Sequence, residues 1–73
     1  MDMKQTLNWE DGFEIRFEIT DGEGVLSANR EGMLSLANHL RMLADEEPGS
    51  HIHLDEYNSL EDGSDGLILV RTE

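Results

Sequence analysis

The chain has 73 residues and no cysteine, and its 17 acidic side chains outnumber five lysines and arginines to give a formal net charge of −12. We expect one small domain over residues 1–73 without disulfides, because a chain of this length supports only a limited core. The negative charge disfavours nucleic acid as a partner, since binding there requires neutralising phosphates, and favours a basic protein.

The N-terminal residues 1–9 carry neither a secretory leader nor a strong structural pattern. A leader needs a basic stretch before an apolar core, and no apolar run approaches the ~18 residues that span a bilayer. We therefore expect a cytoplasmic protein without membrane contact. Leu7 and Trp9 flank a polar residue, which allows a short strand before a turn at residues 10–12.

The clearest strand pattern covers residues 13–19. Apolar side chains alternate with charged ones over all seven positions, as in a strand that buries one face. Residues 21–24, with the sequence Asp-Gly-Glu-Gly, indicate a turn. Residues 25–28 can then return as the second strand of a hairpin.

A single helix is predicted over about residues 30–46. Asn29 suits the N-cap, and the Pro-Gly pair at residues 48–49 ends the helix. Gly32 costs a helix about 1 kcal/mol relative to alanine, so its presence indicates close approach of a neighbouring strand. Helical spacing predicts a buried face made of Met33, Leu36, Ala37, Leu40, Leu43 and Ala44. The polar face is predicted to hold Arg30, Ser35, Asn38, Arg41, Asp45 and Glu46.

Two further strands, separated by a polar loop at residues 57–66, are predicted in the C-terminal part of the chain. Residues 51–57 alternate, with Ile52 and Leu54 on one face. The opposite face of that strand takes His51, His53 and Asp55. Residues 67–70, Leu-Ile-Leu-Val, are apolar throughout, as in a strand that is buried on both faces or meets a partner.

These patterns predict an α+β fold in the order ββαββ, with an optional additional strand at the N-terminus. One antiparallel sheet of four to five strands would carry the helix on one face. A single helix covers only one face of such a sheet. The second face, at Ile68 and Val70 or at Leu67 and Leu69, would therefore be exposed or covered by a second copy in a homodimer.

The row His51, His53 and Asp55 is the first candidate for chemistry. Two imidazoles two residues apart on a strand lie roughly 7 Å apart and can share a metal only if the strand twists. His39 lies on the helix, which covers the opposite face, so it is a poor third ligand. We expect a solvated or partner-contacting face with no metal and no other cofactor, and these three residues remain weak metal candidates.

Catalysis is not expected. A serine, histidine and aspartate set can be written from Ser64, His53 and Asp55, but no nucleophile-elbow glycines surround any serine. The acidic loop at residues 61–66 is not expected to bind calcium, because it lacks the ligand spacing of an EF-hand. Trp9 and Tyr57 are the aromatic side chains best suited to an interface, because neither falls within a strong strand or helix pattern.

Residues 27–70 resemble the polymorphic-toxin immunity protein family numbered 32. The resemblance rests on Glu31-Gly32-Met33 at the helix start, with Leu36 and Leu40 after it, on His51-Ile52-His53-Leu54-Asp55, on Gly63-Ser64, and on the closing Leu67-Ile68-Leu69-Val70. It covers about two thirds of the chain. The resemblance implies a bacterial cytosolic protein that is not an enzyme and that binds and blocks a toxin domain.

The acidic surface would steer the chain onto a basic toxin, and a nuclease is our hypothesis for that toxin because nucleases bind phosphate. The predicted contact residues are His51, His53, Asp55, Glu56, Tyr57, Glu61, Asp62 and Asp65. Alternatively, the His strand stabilises the fold, and the charged face with Glu14 and Glu18 contacts the toxin. The competing class is a small structural or metal-binding homodimer without catalysis.

Overall fold

A computed structural model describes residues 9–73 and has the order ββαββ. The elements are β1 (Ile15–Thr20), β2 (Glu23–Ala28), α1 (Arg30–Ala44), β3 (His51–Leu54) and β4 (Leu67–Val70). The α+β class and the order of the four strands and helix are confirmed. The additional strand expected at residues 1–9 lies outside the described residues except for Trp9.

The four strands form two separate two-stranded antiparallel sheets, so the prediction of one four- to five-stranded sheet is wrong. β1 pairs with β2, and β3 pairs with β4. The reason lies at the second edge of β1, which is already occupied by residues 61–65. The backbone N–H groups of Glu61 and Asp65 donate to the carbonyls of Ile15 and Phe17, at 2.8 and 2.7 Å.

Side chains of the same segment complete the edge of β1. Ser64 Oγ accepts from the N–H of Phe17 at 3.2 Å, and Asp65 Oδ2 accepts from the N–H of Ile19 at 2.8 Å. Side-chain oxygens thus take the place that carbonyls of a third strand would occupy. Because residues 61–65 satisfy the edge of β1 in this way, neither β3 nor β4 can pair with β1 there.

The helix begins where the sequence predicts, and Asn29 ties its start to β1. Asn29 Oδ1 accepts from the N–H groups of Gly32 and Glu14, at 2.8 and 3.0 Å. Its Nδ2 donates to the carbonyl of Gly12 at 3.0 Å. One side chain therefore caps the helix and also fixes the chain before β1. The helix ends at Ala44, two residues before the predicted end.

The predicted close approach at Gly32 is confirmed. A Cβ atom at this position would collide with the carbonyl oxygen of Glu14, and it would lie 2.9 Å from both Ala28 Cβ and Ile15 Cγ1. These neighbours are backbone or core atoms, which cannot move aside cheaply. Glycine therefore allows the first turn of α1 to pack directly on the hairpin.

The helix is rotated relative to the predicted face. Leu36 and Leu43 are buried as expected, but so are Ser35, which was assigned to the polar face, and His39. The remaining members of the predicted stripe are exposed: Met33, Ala37, Leu40 and Ala44. The cause is the close packing at Gly32, which turns the Gly32–Ser35–His39 side of the helix toward the protein.

The core is a small cluster of Ile15, Leu36, Leu54 and Leu60. Trp9 packs against this cluster and stacks on Phe13, with ring centroids 4.6 Å apart. Trp9 is therefore a partly buried core side chain, and its prediction as an interface residue is not favoured. Leu60 brings the polar loop down onto the core, which explains how residues 61–65 reach β1.

Replacing Gly32 by alanine should destabilise the fold by about 1–3 kcal/mol, because overpacking at a backbone carbonyl outweighs the helix propensity of alanine. The measurement is the free energy of unfolding in urea. A37G, on the exposed side of the same helix, is the control for propensity and should cost about 1 kcal/mol. A G32A variant as stable as the wild type would contradict the packing described for this turn.

Candidate partner-binding site

The outer face of the second hairpin combines two imidazoles with two apolar side chains. His51 lies opposite Val70, and His53 lies opposite Ile68. All four side chains are exposed. The rings of His51 and His53 are edge to face with centroids 5.0 Å apart. The prediction that these histidines share an outward face is confirmed.

Asp55 does not lie on that face, because β3 ends at Leu54 and not at residue 57. Its carboxylate accepts from the N–H of Tyr57 at 2.9 Å. Its carbonyl accepts from the N–H groups of Asn58, Ser59 and Leu60. An aspartate that bonds its own backbone two residues on starts a turn. The alternation at residues 51–57 thus misassigned a turn as strand.

Two other predicted contact residues, Glu56 and Asp65, stabilise the loop. Glu56 accepts through Oε1 from the N–H of Gly63 at 2.7 Å, while Asp65 accepts from Ile19 as described above. Gly63 has a φ of +86°, a conformation that glycine adopts without strain. These carboxylates keep the loop in one conformation, whatever else they contact.

Among the predicted contact residues of the loop, Tyr57 and Asp62 are exposed and available to a partner. Tyr57 is 89% exposed, and Asp62 is exposed beside a half-buried Glu61. The carbonyl of Asp62 accepts from Arg16 Nη1 at 3.0 Å, which fixes the backbone beneath its carboxylate. The loop therefore presents an aromatic ring and an acidic group on an ordered support.

No group of three or more histidine, cysteine, aspartate or glutamate side chains within residues 9–73 is placed to hold a metal ion. The pairing of His51 with His53 lacks the third ligand, because Asp55 turns away into its own loop. Three protein ligands are the minimum for a catalytic zinc site. The weak metal candidates are thus not assembled into a site in this part of the chain.

The serine, histidine and aspartate set is likewise not assembled. Ser64 is buried, and its Oγ accepts from the N–H of Phe17. His53 is exposed on β3, and Asp55 is used in the turn. Each member therefore serves a different structural purpose. The three residues therefore do not form a catalytic triad.

His39 is a buried residue that the sequence pattern treated only as a distant ligand candidate. It is fully buried, and its ring meets Trp9 edge to face with centroids 4.1 Å apart. Neither ring nitrogen has a hydrogen-bond partner among the described residues. Burial lowers the pKa of His39 from its ordinary value of 6.5. Its spacing from Leu36 and Leu43 was the signal that it faces the core.

The model of the family described as immunity protein 32 matches residues 23–72. The chain belongs to the immunity protein 32 family. The match begins at β2 and includes the cap-proximal helix turn, the histidine strand and the loop that completes β1. No curated protein and no solved structure matches the chain. No helix within residues 9–73 is long and apolar enough to cross a membrane.

Several residues that carry the family resemblance act within the fold. Gly32 allows the helix to pack, Asp55 starts the loop, and Ser64 accepts from β1. His51, His53 and Met33 are instead exposed. The resemblance therefore contains both residues that build the scaffold and residues that a partner can reach.

Stability should fall as pH decreases below about 6.5, because the unfolded chain binds a proton at His39 that the folded chain excludes. The contribution of His39 to stability is complete at pH values above its pKa in the unfolded chain. It is lost as the pH falls toward the lower pKa of His39 in the folded chain. For one titrating group, the free energy of unfolding cannot change by more than about 1.4 kcal/mol per pH unit. Urea unfolding of the wild type and H39L at several pH values measures it.

The free energy of unfolding of H39L should change less between pH 7 and 5 than that of the wild type, because leucine fills the site without a titratable group. H51Q alters an exposed imidazole and serves as the control; we expect it to retain the wild-type slope. If H39L and the wild type have parallel stability curves, the buried imidazole does not control acid stability.

Proposed function

We propose that this immunity protein 32 family member binds a cognate bacterial toxin domain and neutralises it by covering its working surface, without catalysis. The observation that carries the proposal is the family match over residues 23–72. The arrangement of the site supports it, because exposed histidines, a tyrosine and carboxylates surround an ordered loop. Cytoplasmic action, where such a toxin would do its damage, is part of this proposal.

The charge of the chain supports a basic toxin, and we propose a nuclease as its class. A formal charge of −12 on 73 residues creates a field that attracts basic proteins and accelerates their association. Nucleases carry basic clefts because they bind phosphates. A small acidic protein that enters such a cleft would exclude nucleic acid by occupying its place and by repelling it.

The proposed contact surface centres on His51, His53, Tyr57 and Asp62, which are exposed. Glu61 adds a half-buried carboxylate. The other three proposed contact residues, Asp55, Glu56 and Asp65, each accept a backbone N–H. They would contribute negative potential from fixed positions. Fixed charges cost no side-chain ordering when a partner binds.

The charged face of β1 remains an alternative contact surface. Glu18 is exposed and lies 3.6 Å from Arg16 Nη1, so part of its charge is already balanced. Glu14 is exposed beside it. The Asp62 carboxylate forms no ion pair within residues 9–73, because Arg16 contacts Asp62 only through its backbone carbonyl. For this reason we favour the loop.

A structural homodimer is the remaining alternative and draws support from the exposed Ile68 and Val70. Self-association must bring two chains of formal charge −12 together, which like-charge repulsion opposes. A metal-dependent version lacks an assembled ligand group within the described residues. Molecular mass in solution, measured with and without chelator, tests both self-association and its dependence on a metal.

Co-expression should protect bacterial cells from the toxin domain encoded in the neighbouring reading frame, and the two proteins should co-purify. The complex should weaken as salt is raised from 50 to 500 mM, because screening reduces the attraction between opposite charges. Growth assays and a tagged pull-down at both salt concentrations provide the measurement. Absence of both protection and binding at low salt would refute the proposed function.

Replacing Asp62 by lysine should slow association with the toxin several-fold at low salt and have little effect at high salt. The change reverses one exposed charge whose side chain is not required by the loop. E23K, on the far strand of the first hairpin, is the matched control and should slow association less. Stopped-flow kinetics measures both variants, and equal rates for D62K and the wild type at low salt would exclude the loop as the contact surface.

A further inference from the structure

β4 has a free edge whose backbone groups point away from its partner strand. The N–H of Arg71 donates to the carbonyl of Ser50 at 2.9 Å, and the carbonyl of Arg71 accepts from the N–H of Gly49 at 2.8 Å, so the backbone groups of residue 71 face the β3 side. Along an antiparallel ladder, residues whose backbone groups face the partner strand alternate with residues whose groups face away. The backbone N–H and C=O groups of Leu69 therefore face β3, whereas those of Ile68 and Val70 face outward. Among residues 9–73, no other strand lies along this edge.

A cleft of about 460 Å³ runs beside this edge, between β4 and the helix, and its lining includes Arg71, Thr72 and Glu73 as well as apolar residues. Leu40 and Ala44 border it from α1, and Leu69 borders it from β4. Ile68 and Val70 also line it, although their side chains share the outer face of the hairpin with the two histidines. Leu40, Ile68 and Val70 are each more than half exposed. We call the free edge of β4 together with this cleft the β4 seam. Exposed apolar side chains beside an unpaired strand edge are typical of an interaction surface.

The β4 seam exists because of the helix rotation. The packing at Gly32 directs Ser35 and His39 inward and leaves Leu40 and Ala44 beside β4 without a strand beneath them. The apolar stripe of the helix is thus wider than the sheet that it covers. An additional strand on the edge of β4 would complete the sheet and bury the uncovered half of this stripe.

We propose that an extended segment of the toxin adds to β4 as a third strand and fills the β4 seam. Strand addition uses outward N–H and C=O groups for affinity and side-chain pockets for selectivity. The segment should alternate apolar residues, which enter the cleft, with basic residues, which suit the overall negative charge of the chain. A second copy of this chain is disfavoured as the occupant by its own charge of −12. This proposal rests on the proposed function.

Amide hydrogen exchange, measured by NMR on the free chain and on its complex with the neighbouring toxin domain, tests the seam directly. In the free chain, the amides of Ile68 and Val70 should exchange quickly, while that of Leu69 should be protected by β3. The complex should slow exchange at Ile68 and Val70 by at least about tenfold, because each amide gains a partner.

V70P provides an independent test, because proline removes an outward N–H without taking a hydrogen bond from β3. L26P is the matched control. The carbonyls of Ile15 and Phe17 face residues 61–65, and Leu26 is opposite Phe17, so the N–H of Leu26 also points away from its partner strand. We expect V70P to weaken toxin binding at least about tenfold and L26P to leave it within twofold, with both variants retaining a cooperative unfolding transition.

The outcomes separate this proposal from the proposed function. Tight toxin binding with unchanged exchange at Ile68 and Val70, or with V70P equal to the wild type, would overturn strand addition and leave the immunity function standing. Protection of both amides in the free chain, as a monomer or as a dimer, would show that the toxin is not the occupant. Failure of the wild type to bind the toxin would overturn both. If V70P loses its unfolding transition, the exchange measurement on the wild type decides.

Discussion

The organisation of this domain depends on how the second edge of β1 is satisfied. Residues 61–65 run along that edge and bond to it through two backbone N–H groups and two side-chain oxygens. A buried strand edge cannot remain without partners at low cost. Using a loop for this purpose prevents the second hairpin from pairing with β1. It also fixes the acidic loop at the surface and leaves the outer edge of β4 unpaired.

The same constraint links stability to recognition. Ser64 and Asp65 use their oxygens to hold β1, and Asp55 and Glu56 hold the backbone of the loop that carries Tyr57. The acidic residues of this surface are therefore not interchangeable sources of charge. Those bonded to backbone N–H groups set the shape of the surface, while a carboxylate such as that of Asp62 can change without loss of these bonds.

Local features of the fold follow directly from the sequence, whereas its assembly does not. The cap at Asn29 and the glycine at position 32 each have one physical interpretation, and the structure agrees with it. The alternation at residues 13–19 does indicate a strand, but β1 runs from Ile15 to Thr20 and leaves Ile19 exposed. Hydrophobic spacing could not predict the rotation of α1, because the buried side includes Ser35 and His39 and depends on contact at Gly32. Nor could it predict that side chains would replace a third strand. At Asp55, a local side-chain bond to the backbone overrides an alternating pattern. The outward pair of histidines was predictable, but the loss of a third ligand depends on that same turn.

Charge and apolar surface have separate consequences for binding in a chain of this kind. Long-range attraction from a formal charge of −12 acts before contact, so it raises the association rate and weakens with salt. The strand addition proposed at the β4 seam would act only after contact, because backbone hydrogen bonds and apolar burial need close fit, and it would therefore govern dissociation. Many acidic proteins could meet a basic toxin by charge alone. A free strand edge beside a cleft requires a segment of matching shape and alternation, and this requirement would let one immunity protein recognise one toxin among many with similar charge.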